Sequence, residues 1–146
     1  MSINTATQAV VAAVKTRYDS VAGAAIRTEG ATGFYYGRAP NSATYPFVVV
    51  NVPASVTDST VGQGSDASGI YDDISIDVSA FDDTRDPDRA LSIIGAWHTA
   101  FNFVRLSLES PYRMVMGYKS LDALTIEAPD QKGWHVVATY AYNIAE

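Results

Sequence analysis

The chain has 146 residues, 47% of them hydrophobic, with a formal net charge of −6 and no cysteine. That length fits one domain with a real core; the lack of cysteine excludes disulfides, thiolate nucleophiles and thiolate metal sites, and the acidic balance argues against a nucleic-acid binder built on clustered Lys and Arg. No apolar run approaches the roughly 18 residues of a membrane span, and MSINTATQAVVAAVKTRY has neither a basic start nor a continuous apolar segment, so no signal peptide is expected and a cytoplasm is the expected setting.

The charge is unevenly placed. Val56 to Ala90 holds nine Asp against Arg85 and Arg89, a sum of −7, whereas residues 1–55 sum to +2 and residues 91–146 to −1.

In chain order, Asn4 to Asp19 places Ala6, Val10, Val14 and Tyr18 at helical spacing, with Asn4 or Thr5 as N-cap. SVAGAAIRTEGATG shows little periodicity, and FYYG is short enough for an edge strand. RAPNSATYP reads as loop, opening a strand over Phe47 to Val52 with Pro46 at its start and Pro53 as its end, because neither proline can donate to a ladder. The unbroken run Phe47, Val48, Val49, Val50 implies cover on both faces of that strand.

Ala54 to Gly69 is rich in Ser, Thr, Gly and Asp and reads as a long mobile loop or an extended hairpin, a segment expected to order against a partner. Ile70 to Phe81 alternates: Ile70, Ile74, Ile76, Val78 and Ala80 share one face, and Asp73, Ser75, Asp77 and Ser79 the other, which would meet water or an aqueous lumen. A second helix starts with Asp86 as N-cap and Pro87 at the first helical position, and carries the stripe Ala90, Ile93, Ile94, Trp97, Ala100, Phe101 and Val104. The remainder reads as two long β segments joined at Ala128 to Gly133, with Trp134, Val136, Ala138, Tyr140, Tyr142 and Ile144 on one face and a bulge or bend at Gly117. The expected fold is α/β (α+β): a single domain over residues 1–146, with an antiparallel or mixed sheet of four to five strands and two helices packed against it.

Residues for catalysis are few. His98 and His135 are the only histidines, and no motif ties either to a nucleophile or carboxylate. DDISIDVSAFDDTRDPD lacks the glycine and glutamate spacing of a calcium loop, and Gly62, Gly64 and Gly69 match no phosphate-binding fingerprint. Phe34, Tyr35, Tyr36, Tyr140 and Tyr142 invite comparison with a base-stacking sheet but lack basic neighbours, which favours core packing or a protein interface. No enzyme, cofactor or metal is expected.

The order FYYGRAP, YPFVVVNV, a polar Gly-rich loop, DISIDVSAF, a helix opened by RDPDRA and a closing KGWHVVATYAYNI resembles the tail-completion, or tail-terminator, proteins of long-tailed bacteriophages across nearly the whole chain. The resemblance implies a virion protein of the tail or neck, made in a bacterial host, that forms a homo-oligomeric, hexameric ring. Such a ring ends polymerisation of the tail-tube protein and meets the head-side connector or stopper, with DNA passing through unbound. Asp58, Asp66, Asp73 and Asp77 are the candidate lumen or assembly contacts. Another neck or tail-tube ring component, or a small ligand-binding α/β domain, is the competing reading.

Overall fold

The computed structural model describes residues 5–29, 33–59, 70–84, 86–121, 125–127 and 133–145. Helix α1 runs Ala6–Asp19, with the Thr5 side chain accepting from the Gln8 amide at 3.2 Å, and buries Ala6, Ala9, Val10, Val14 and Tyr18. Residues 20–29 lack helical periodicity in sequence yet form a 3-10 turn, Val21–Gly23, and a short helix α2, Ala24–Thr28. Two tertiary features hold this segment: Ile26 is fully buried, and the Arg27 guanidinium donates to the carbonyls of Tyr18 and Ser20. Packing overrides a weak local pattern here.

The sheet comprises β1 (Gly33–Tyr36), β2 (Phe47–Ser59), β3 (Ile70–Asp82), β4 (Arg113–Leu121), β5 (Thr125–Glu127) and β6 (Trp134–Ala145). Its order is β1-β2-β3-β6-β4, with the three-residue β5 also on β6. β1 is an edge strand and pairs parallel to β2, while the other pairs are antiparallel, so the sheet is mixed.

Two expectations about β2 are corrected. Pro53 does not end the strand, because the register with β3 slips between Asn51 and Ala54, and at such a bulge the missing N–H costs no ladder bond. Nor are the first residues of the expected loop at 54–69 a loop: Ala54–Ser59 continue β2 and pair with Ile70–Ser75, which is the extended-hairpin alternative. Residues 60–69 lie outside the described residues.

Helix α3 spans Asp88–Phe101, one residue later than the proline signal predicts: Pro87 takes the cap position, and the Asp86 carboxylate accepts from the Asp88 amide at 3.1 Å. The helix also ends before Val104, since Asn102 turns extended and Phe103 has a φ of 56°. Register shifts in β4 flank Gly117, between Met114 and Met116 and between Lys119 and Leu121.

Alternation in β3 and β6 delivers Ile74, Ile76, Val78, Ala80, Val136, Ala138, Tyr140, Tyr142 and Ile144 to a single buried face. Both α1 and α3 pack there. Trp97 is at the centre of this layer, stacked on Phe101 at 4.5 Å and on Tyr18 and Phe34 at 6.2 and 6.3 Å. The Arg17 guanidinium joins the helices by donating to the Ala100 carbonyl at 2.7 Å. With the helices on one side and the closing strands inside the sheet, the second face meets the 37–45 segment over Phe47 and Val49.

Candidate assembly face

The register that builds the core also fixes the second face. Asp73 lies opposite Asn143 and Asp77 opposite Thr139, and both pairs are hydrogen-bonded: the Asn143 amide donates to Asp73, and the Thr139 hydroxyl donates to Asp77 at 2.6 Å. A hydrogen bond to a charged acceptor is stronger than a neutral one, so both carboxylates are held in place on the sheet. Asp73 is exposed and Asp77 half-buried, two turns of the pleat apart on one strand. Asp58 lies on β2 in register with Tyr71, and Asp66 falls outside the described residues. The structure thus brings Asp73 and Asp77 together on one face.

Toward the other end of the same face the character changes from acidic to aromatic. Phe47, Phe81 and His135 occupy neighbouring register positions on β2, β3 and β6, and their rings form a column with Tyr45: centroids are 5.1 Å apart for Tyr45 and Phe47, 5.1 Å for Phe47 and Phe81, and 4.3 Å for Phe81 and His135. Tyr35 on β1 meets the Phe47 ring edge-on at 5.8 Å. Burial of His135 pushes its imidazole below the ordinary histidine range. This column could not be read from the sequence, because its members are 34 and more residues apart except for Tyr45 and Phe47, and only the register aligns them.

A cavity of about 390 Å³ opens beside the column, between the 37–45 segment and the floor formed by Phe47, Val49, Asn51 and Phe81. Gly37 starts that segment with a φ of 82°, a left-handed conformation natural to glycine, and its amide donates to the Val50 carbonyl at 2.9 Å. Arg38 is the charged residue of the lining.

The aromatic residues singled out in the sequence do not form one platform. Phe34 packs on Tyr18 in the helix layer, Tyr35 faces Phe47 on the other side, Tyr36 is exposed, and Tyr140 and Tyr142 are buried in the core. Burial raises the Tyr142 phenol far above its ordinary range. The histidines are likewise separated: His98 lies in α3 with its Nε2 3.4 Å from the Asn102 amide nitrogen, and His135 lies on β6. Among the described residues no three His, Asp or Glu side chains converge as a metal site, and no helix is long and apolar enough to cross a membrane.

No protein-family model matches the sequence, and neither does any curated protein. The fold, in contrast, is similar to that of a solved chain from the virion of a native gene transfer agent particle, with a TM-score of 0.72 and 18% identity over 99% of this chain and 100% of that one. A match of that quality over both full lengths fixes the fold as one shared with a particle component.

Proposed function

We propose that the chain is a structural virion protein of a phage-like particle, and within it a tail terminator: a homo-oligomeric ring that caps the tail tube, ends its polymerisation and forms the joint to the head-side connector. The observation that carries this reading is the end-to-end fold similarity to a chain of a gene transfer agent virion. The motif order from FYYGRAP to KGWHVVATYAYNI supports the same assignment from the sequence side.

The two-faced sheet suits such a role. A heterologous contact between identical subunits closes into a ring when the rotation allows it, and the face opposite the helices is available for such contacts. Its acidic end, where Asp73 is exposed, is assigned to the lumen, where like charge keeps passing DNA from sticking. The partners are further copies of the chain, the tail-tube protein and the connector or stopper; the site of action is the virion tail or neck.

The test is light scattering and negative-stain imaging of the purified protein with and without tail tubes. The expected result is a ring and new density at one tube end only. Density along the tube wall or at the far end would instead favour a different tube or neck component, and compact monomers that ignore the tubes would sink the reading.

A further inference from the structure

The geometry points to a knob-and-socket contact between neighbouring copies of this chain, in which Phe103 of one copy enters the cavity between the 37–45 segment and Phe47 of the next. This rests on the ring reading and specifies its contact.

Phe103 is an anomaly in the monomer. It is 79% exposed, the most exposed aromatic among the described residues, and sits at a φ of 56°. A left-handed conformation is unfavourable for a bulky side chain, so this backbone both strains the chain and holds an apolar ring in solvent. It lies just past the C-terminus of α3, in the helix layer, whereas the cavity belongs to the opposite face of the sheet. One copy therefore cannot fill its own cavity, and a contact between two different patches is heterologous, the type that builds rings.

The socket fits the knob in size and offers it an aromatic wall, with Asn41 and Asn51 among its other lining residues. Roughly 150 Å³ is enough to hold benzene in a protein cavity, and this one has about 390 Å³, walled by Tyr45, Phe47, Val49 and Phe81. Offset and edge-to-face aromatic contacts are favourable beyond simple area burial.

The polar groups at the rim add one cation–aromatic contact and one charge pair. Arg38, exposed at the socket, would meet the face of the incoming ring, because the carbonyl end of α3 beside Phe103 already takes the Arg17 guanidinium within its own copy. Arg105, exposed two residues beyond the knob, would meet the acidic part of the sheet, where Asp77 is in register with the socket residue Asn51. The knob side thus brings an aromatic ring and a cation, and the socket side an aromatic wall, a cation for the ring face and a carboxylate for Arg105.

Two variants test the contact by light scattering and negative stain. Phe103→Asn removes the knob while placing a residue tolerant of positive φ at that position, so its melting temperature should hold or rise while the concentration needed for ring formation rises about tenfold or more. Ala43→Trp, or Asn41→Trp if the former does not fold, blocks the socket and should have the same effect on assembly. Mixed in equal amounts, the two variants retain one intact knob and one intact socket between them, and the expected product is a two-copy species and nothing larger. Rings formed by Phe103→Asn at the wild-type concentration, or a mixture that stays monomeric, would overturn the contact while leaving the ring reading in place. A wild-type chain that never assembles would overturn the ring reading, and the contact with it.

Discussion

Thr139 donates its hydroxyl proton to Asp77 across the β3–β6 pair, at 2.6 Å and directly in register. The bond places a carboxylate on the second face of the sheet and keeps its side chain from turning elsewhere. A half-buried hydrogen bond to a charged group contributes about 1 kcal/mol or somewhat more. Thr139→Val should therefore lower stability by about 1 kcal/mol in urea titration, and the loss should largely vanish when Asp77 is already alanine. A Thr139→Val cost that is the same in both backgrounds would show that the pair is uncoupled.

Asp73 is more exposed than Asp77 and is bonded to the Asn143 amide, so its replacement strikes charge more than fold. Under the lumen assignment, Asp73→Lys should leave ring formation intact and reduce DNA delivery by assembled particles, because cations in the channel hold phosphates. The measurement is delivery per particle counted by microscopy. Unchanged delivery with normal particle numbers would remove Asp73 from the lumen.

Two glycines should respond in opposite directions to alanine. A Cβ at Gly117 would lie 2.6 Å from Cδ1 of Tyr142, whose ring is 2% exposed and has nowhere to move. Gly117→Ala should cost about 1–3 kcal/mol through overpacking. A Cβ at Gly95, exposed within α3, would meet nothing within 4 Å. Gly95→Ala should stabilise by up to about 1 kcal/mol, the helix-propensity difference between the residues. Thermal melts of the two variants against wild type decide both.

What could be read in advance was periodic. The alternation from Ile74 to Ala80 and from Val136 to Ile144 and the stripe Ala90, Ile93, Ile94, Trp97 each announce a buried face by local spacing, and each is buried; the Thr5 cap of α1 was legible from its residue type just ahead of the periodic run. Helix α2 was hidden because it owes its existence to Ile26 and Arg27 rather than to spacing. The length of β2 was hidden by Pro53, a strand terminator by rule that a bulge makes harmless. At the candidate site, Asp73 and Asp77 share a face by simple parity, so the acidic half was legible. The aromatic half was not: Phe47, Phe81 and His135 become neighbours only through a register that no local pattern encodes.

His135 makes stability depend on pH in a direction its surroundings fix. Its ring stacks on Phe81 at 4.3 Å, and burial lowers its pKa in the folded chain. An unfolded histidine titrates near about 6.5, so between that value and the lower folded one the unfolded chain binds more protons. Stability then rises with pH across this window: the contribution of neutral His135 is fully present above the unfolded pKa and is lost as pH falls toward the folded one. His135→Phe keeps an aromatic ring on Phe81 and cannot take up a proton. Urea midpoints for wild type and His135→Phe, measured at about pH 8 and about pH 5, should show the wild type losing more stability on acidification, with the carboxylates common to both chains cancelling in the difference. Equal losses in the two proteins would mean that His135 titrates alike in the folded and unfolded chains, and that the aromatic column does not exclude its charge.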